Sequence, residues 1–439
     1  MKSIFTPGIH LMNRLIYPQK FAVVGLVLII PLLLVGTQFL SSINFDVEFS
    51  SKERMGLVYN DPLINMLQYV QEHAAVVSAV LNGDDSLRDR VSTLQAEIDV
   101  DVADVDVVND RIGAELGARE QWAQIVPAWE QLRDTALSQT PEESVASHQQ
   151  LINDIMTLVT VVGNNSNLIL DPDLDSYYLM DNVINKLPLM SDYASQLRIL
   201  GAAVVARGEL TVSDQTRFAI LSGLLRSTRE LSEVSYQYTF NTIPELVGGD
   251  AASLNGMSPA MRESLTLLID NNTAAVEEFL TLLDTEFLSV SIAAESGMDA
   301  VPVTSNVADF LTVANRASDS IYELYDETSP QLDKLNEVRI SRFVVLRNLV
   351  IVVSLVALVL AIYLFIAFYL AVRKTITALD HASQRMVGGT MGEAITLDNR
   401  DELAQVANSF NNIASELVLA RDRALDANRA KSTVLANRS

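Results

Sequence analysis

Two stretches of the chain are almost entirely apolar and stand apart from the rest. Residues 21–40 and residues 349–372 contain no charged side chain. At about 1.5 Å of rise per residue, a helix of either length covers the roughly 30 Å hydrocarbon core of a bilayer. We therefore predict two transmembrane helices. The first is expected to remain as an anchor, because its apolar run is longer than that of a cleaved signal peptide.

Basic residues near these spans predict their orientation. The ones that precede the first span or follow the second are Lys2, Arg14, Lys20, Arg373 and Lys374. An excess of Lys and Arg marks the cytoplasmic side, so both termini are expected inside. Three arginines at the end of the intervening loop argue the other way: Arg339, Arg342 and Arg347. We give them less weight because long loops cross a membrane largely regardless of charge.

Between the spans, apolar residues recur every three or four positions, which is typical of amphipathic helices. One such run is Leu151, Ile155, Leu158 and Val162. Thr140 and Ser213 are expected to cap helices that follow them. This pattern predicts an all-α exterior domain, and its length favours two stacked helical bundles that share long helices.

Composition excludes several classes of protein. The net charge is −24, and residues 42–342 alone hold 18 basic and 47 acidic residues. Such a surface does not suit nucleic acid. The chain has no cysteine, and its four histidines show no metal-ligand spacing. Since no nucleophile set or phosphate-binding loop appears either, we expect no catalysis, no cofactor and no metal site from these residues.

The acidic motif Asp171-Pro-Asp-Leu-Asp-Ser176 begins like a calcium loop. Ser176 replaces the required glycine and Asn182 replaces the bidentate glutamate, so a turn that caps the next helix is the better interpretation. Residues 167–181 resemble a segment of the helical periplasmic sensing domains of bacterial chemoreceptors and sensor kinases.

Arginine and tyrosine side chains near this motif could bind a small molecule, because a guanidinium pairs with carboxylates and a phenol ring stacks. The candidate ligand-binding residues are Tyr177, Tyr178, Asp181, Arg198 and Arg207. The alternative is that the arginines are solvated and the tyrosines belong to a core or an interface. An acidic run could gather divalent cations or form a solvated surface: Asp99, Asp101, Asp104, Asp106 and Asp110.

The tail after the second span contains two short heptad patterns. The first includes Ile376, Leu379 and Met386, and the second follows Asp401 and Glu402 with Leu403, Val406, Phe410, Ile413 and Leu417. Two short helices of this kind cannot bury their apolar seams alone. We therefore expect a homodimer with a parallel four-helix coiled coil.

This tail resembles a HAMP domain, the relay module of bacterial transmembrane receptors. The resemblance rests on Gly389-x-Met391, Ile395, Asp401-Glu402-Leu403 and Phe410-Asn411-x-Ile413, and it lacks the usual proline after the span. The run Ala427-Asn-Arg-Ala-Lys-Ser432 then resembles the segment that leads to the phospho-acceptor histidine of sensor histidine kinases. The given sequence contains neither the histidine box nor the ATP-binding domain of that family.

These resemblances imply the input half of a homodimeric sensor histidine kinase in a bacterial inner membrane. It would detect an unknown periplasmic small molecule or protein and act on a cytoplasmic kinase core or response regulator. A chemoreceptor and a stand-alone HAMP regulator are the alternatives. The expected order is a cytoplasmic N-terminus (1–20), a span (21–40), a periplasmic helical sensor (41–348), a span (349–372), a HAMP domain (373–420) and a signalling helix (421–439).

Overall fold

The computed structural model describes residues 5–241, 259–291, 300–387 and 402–436. Almost all of them are helical, which confirms the all-α class. The chain divides into two compact units: Ser42–Leu346, called here the larger unit, and Met1–Ser41 together with Arg347–Ser439.

The described helices are α1 (Thr6–Asn13), α2 (Tyr17–Leu81), α3 (Arg88–Val108), α4 (Arg119–Thr135), α5 (Pro141–Asn165), α6 (Leu174–Asp181), α7 (Leu187–Arg207), α8 (Val212–Phe240), α9 (Pro259–Leu283), α10 (Val307–Val387) and α11 (Glu402–Ala436). A π-helical segment, Asn182–Lys186, joins α6 to α7. Strands β1 (Glu209–Thr211) and β2 (Ala300–Pro302) pair antiparallel, with Leu210 opposite Val301.

Helices α2 and α10 are long and apolar enough to cross a membrane. Each contains one of the apolar stretches found in the sequence and also contributes to the larger unit. The apolar parts contact each other: the Phe21 ring centroid lies 5.6 Å from that of Phe365 and 5.5 Å from that of Tyr369. Gly25 allows this approach, since a Cβ there would sit 3.2 Å from Phe365.

One continuous core fills the larger unit. Helices α3, α4 and α5 pack with α2, and α6 to α9 pack with α10, while α7 also contacts α2. Both groups meet α2 at the same level, because His73 contacts His148 of α5 and the neighbouring Gln71 donates a hydrogen bond to Ser191 of α7. The two helical groups therefore lie beside each other, whereas the sequence favoured stacked bundles. Helices α2 and α10 are long enough for both groups of helices to pack beside the same segment of them.

Capping residues explain two helix starts. Thr140 caps α5 through a capping box with Glu143, as expected. The prediction for Ser213 is wrong: α8 starts at Val212, and Thr211 is its cap, because the Thr211 hydroxyl accepts from the Asp214 N–H while the Asp214 carboxylate accepts from Thr211. The preceding turn needs Gly208, which has a φ of 74°.

Candidate functional site

Three of the predicted ligand-binding residues lie on the short helix α6. Tyr177 is 39% exposed, and Tyr178 stacks on Tyr238 of α8 with 5.0 Å between ring centroids. Asp181 forms an ion pair with Lys186 on the π-helical segment. Helix α6 therefore presents two tyrosines beside α8, and the Asp181 carboxylate is already neutralised by Lys186.

Arg198 is buried in the core of the larger unit. Its Nη1 donates to the side-chain oxygen of Asn315 on α10 at 3.0 Å, while its Nε and Nη2 have no acceptor among the described residues. Burial lowers the pKa of this guanidinium, and the nearby charges of Glu72 and Asp319 act against that shift. The side chain is therefore a core arginine, not a solvated one.

Arg207 is the last residue of α7 and lines a cavity of about 390 Å³. Its guanidinium pairs with Asp214 and donates to the Glu209 carbonyl. Polar residues around the cavity include Glu142, Gln149, Gln196 and Arg217. The space and the polar groups suit a small polar molecule.

The five predicted residues do not meet in one place. Tyr177 and Arg207 are thirty residues apart along α6, the π-helical segment and α7, which corresponds to about 45 Å at helical rise. Of the five, Arg207 alone lines the cavity. Their role in binding a ligand stays a prediction.

Part of the acidic run takes part in packing, whereas Asp104 and Asp110 are exposed. Trp129 Nε1 donates to Asp99 at 2.8 Å, and Trp122 Nε1 donates to Asp106 at 2.7 Å. Asp101 is nearly buried, and burial raises its pKa to about 7. Within the described parts of the chain, no group of three or more acidic or histidine side chains is arranged to hold a metal ion.

A buried ionic cluster joins the first and last helices of the larger unit. We call it the Arg339 cluster, and it consists of Glu53, Asp171, Asp173, Ser176 and Arg339. Arg339 of α10 donates from Nη1 to Glu53 of α2 at 2.9 Å, from Nη2 to Asp171 at 2.6 Å and from Nε to Asp173 at 2.8 Å. The guanidinium also contacts the Ser176 hydroxyl. Its side chain is 4% exposed, and those of Glu53 and Asp171 are fully buried.

The acidic turn before α6 holds two of these carboxylates in place. Asn167 has a φ of 69°, a left-handed conformation that asparagine tolerates and that turns the chain after α5. The Asp171 Oδ1 then accepts from the Asp173 N–H at 3.0 Å and from the Ser176 hydroxyl at 2.8 Å. The turn therefore caps itself and presents its carboxylates to Arg339.

The Arg339 cluster contains more acidic than basic groups. Burial raises the pKa of Glu53 to about 8; the charge of Asp171 adds to this shift, and Arg339 only partly opposes it. Burial also raises the pKa of Asp171, against the effect of Arg339. Glu53 Oε1 and Asp171 Oδ2 have no hydrogen-bond partner among the described residues. Glu53 consequently binds a proton near neutral pH.

A histidine pair lies in the core between α2 and α5. His73 Nδ1 is 2.8 Å from His148 Nε2, and His148 Nδ1 is 2.6 Å from the Ser144 carbonyl. The carbonyl can only accept, so His148 carries its proton on Nδ1 and His73 donates to its Nε2. Burial lowers the pKa of both rings, that of His148 to about 4. Both rings are neutral at pH 7.

The predicted relay residues lie in the second unit. Leu379 of α10 and Phe410 of α11 pack around Ala382 and Ala407. Ile376, Met386 and Leu403 are partly buried, and Val406, Ile413 and Leu417 are 51%, 58% and 44% exposed. Glu402 begins α11, and Asp401 lies outside the described residues. The apolar seam of α11 is thus largely uncovered within one chain.

Comparisons with family models, with curated proteins and with solved structures gave no match to this chain. The functional argument therefore depends on the geometry of this molecule.

Sequence reasoning missed the role of Arg339, which we considered only as a loop charge. The motif around Asp171 offered a signal, since three close carboxylates in a basic-poor domain need a cation. His73 and His148 gave no signal, because they are 75 residues apart and neither has a partner at helical spacing.

Proposed function

We propose that the chain is a membrane-bound signal receptor in which the larger unit detects an extracytoplasmic stimulus. Its first and last helices relay the stimulus through a HAMP-like module to a cytoplasmic output, as the input half of a sensor histidine kinase. The two ends of the chain lie in the cytoplasm in this proposal, and the membrane is a bacterial inner membrane.

The observation that carries the proposal is the bonding of Glu53 on α2 to Arg339 on α10. These two helices contain the apolar stretches 21–40 and 349–372. A change in the Arg339 cluster alters the contact between the same two helices that enter the membrane. Packed helices respond by small shifts or rotations, because close-packed interfaces have discrete arrangements.

In this proposal, the acidic turn 171–176 connects a stimulus in the larger unit to this contact. The turn follows α5 and includes the first residues of α6. Helix α7 continues α6 through the π-helical segment and reaches the cavity beside Arg207. Along α2, Ser78 at this cavity and Glu53 are 25 residues apart, or about 38 Å. A ligand in the cavity would therefore act through α7 and α6 on the turn.

The run Ala427-Asn-Arg-Ala-Lys-Ser432 lies within α11. Its similarity to the lead-in of histidine kinases supports a kinase as the output. A helix transmits rotation to whatever follows it, so the phase of this helix is expected to set the activity of the output domain.

The test is a fusion of residues 1–439, in register, to a histidine-kinase catalytic core, with phosphorylation measured in membranes. Inserting one residue after Asp422 rotates the downstream helix by about 100° and should reset the activity. A seven-residue insertion keeps the heptad phase and serves as the matched control. Equal activity after insertions of one, two, three and seven residues would contradict the relay.

A further inference from the structure

Helix α8 is apolar on two faces. The inward face contributes Phe218, Leu225 and Tyr236 to the core. The outward face carries five large apolar side chains: Ile220 (58% exposed), Leu224 (40%), Leu231 (54%), Val234 (43%) and Tyr238 (56%). We call these five residues the α8 stripe. A soluble surface helix normally has one apolar face, so the second face requires an explanation.

The stripe has the spacing of a coiled-coil seam. The exposed residues on this face alternate in steps of four and three. In order they are Ile220, Leu224, Ser227, Leu231, Val234 and Tyr238. This alternation keeps one side of a helix facing a parallel neighbour over about 27 Å. The partner that fits such a surface is another helix.

The flank of the stripe permits close approach. Gly223 is exposed beside it, and a Cβ there would meet no other atom within 4 Å. At the C-terminal end of α8 the stripe continues onto α6, because Tyr238 stacks on Tyr178 and Tyr177 packs edge-on against Tyr178. The tyrosines considered above as ligand-binding residues thus extend this apolar surface.

The exposed area is large for a single chain. Five side chains, each about half exposed, present on the order of 500 Å² of apolar surface, close to the largest patch of a typical monomer. Two such surfaces together with their polar flanks approach the size of a standard interface, about 1,600 Å² in total.

We propose that the α8 stripe is the surface through which two copies of this chain pair outside the membrane. A heptad seam is complementary to an identical seam related by a two-fold axis, where each residue meets its own counterpart. The exposed charges of α8 nearest its middle, Arg226 and Glu230, lie off the seam and need not be buried. The inference rests on the proposed function in one respect: spans in the same bilayer make the two α8 helices parallel.

A second copy fits the stripe better than the chain segment that follows α8. By sequence, residues 242–258 contain Pro244 and three glycines, Gly248, Gly249 and Gly256, and they offer no heptad run of matching length. The stripe instead matches itself at every position.

The test uses the full chain in native membranes and exploits its lack of cysteine. Single cysteines replace Ile220, Leu224, Ser227, Leu231 or Val234 on the seam, and Ala219→Cys and Arg226→Cys are exposed controls on the same helix. Mild oxidation should produce disulfide-linked dimers at the seam positions, and little or none at the two controls. Adding Leu224→Glu should lower crosslinking of Val234→Cys by about tenfold, since it buries an unpaired charge; adding Arg226→Glu should not.

Three results would overturn the proposal. Equal crosslinking at seam and control positions would indicate random collision. Seam cysteines that give no dimer and resist a water-soluble maleimide would indicate that the chain covers its own stripe. Crosslinks to a different protein would identify a hetero-partner. Single cysteines at 403–417 report dimerisation of the tail independently of α8. If they crosslink while the α8 cysteines do not, the α8 proposal fails and the receptor proposal stands.

Discussion

Replacing Arg339 with methionine is the sharpest test of the Arg339 cluster. The substitution removes the guanidinium from a site where its side chain is 4% exposed and leaves the fully buried carboxylates of Glu53 and Asp171 without a cation. Removing one partner of a buried ion pair costs about 3–5 kcal/mol, because the remaining charge stays desolvated.

The magnitude can be worked out from protonation. Glu53 already binds a proton near neutral pH, so most of the cost falls on Asp171. Protonating a carboxyl with an ordinary pKa of about 3.9 at pH 7 requires roughly 4 kcal/mol, and at pH 5 it requires about 1.5 kcal/mol. Because burial already raises the pKa of Asp171 in the unmutated protein, this cost is an upper limit. We therefore expect Arg339→Met to destabilise the larger unit by up to about 4 kcal/mol at pH 7 and by less than half of that at pH 5.

Tryptophan fluorescence during urea unfolding of the full chain in detergent is the assay. Both tryptophans of the chain, Trp122 and Trp129, are buried in the larger unit and report its unfolding. Arg54→Met is the matched control, since the Arg54–Asp333 pair also joins α2 to α10 but its side chains are 35% and 31% exposed. Such a pair is worth at most about 1 kcal/mol.

A second variant checks the explanation. Asp171→Asn combined with Arg339→Met removes the unpaired charge and should recover part of the lost stability. The reasoning would be refuted if Arg339→Met and Arg54→Met had equal effects, or if the loss in Arg339→Met were the same at pH 5 and pH 7.

Four further predictions concern other parts of the molecule. Because folded Glu53 has a pKa of about 8 and an unfolded glutamate about 4.5, its contribution to stability is lost as pH rises from 5 to 9, by up to about 4 kcal/mol; Glu53→Gln should flatten this loss in urea titrations. Burial lowers the pKa of His148 to about 4, so stability should also fall by about 3 kcal/mol as pH drops from 6.5 to 4, and less so in His148→Gln. Gly201→Ala should cost about 1–3 kcal/mol by the same assay, since its Cβ would lie 2.0 Å from the Phe310 ring; no loss would contradict the close approach of α7 to α10. Phe410→Ala should weaken the tail dimer by about 3–5 kcal/mol, and single cysteines along 403–417 should crosslink with heptad periodicity.

The sequence by itself determined the features that depend on neighbours within a few positions. Residues 21–40 and 349–372 predict membrane-spanning helices from length and apolarity, and α2 and α10 contain them. Three- and four-residue spacing predicted the helices, and Thr140 predicted the start of α5. These features repeat every turn of one helix, so a local pattern is sufficient to find them.

Tertiary structure alone decided which groups meet across the bundle. Glu53 and Arg339 are 286 residues apart, and no local pattern pairs them. From its spacing alone, the heptad of Ile220, Leu224 and Leu231 would be predicted to face the core. In the structure Phe218 and Leu225 are buried instead, and the heptad residues are exposed. Burial depends on which helices surround a side chain, and that packing, not periodicity, places the ionic cluster inside and the α8 stripe on the surface.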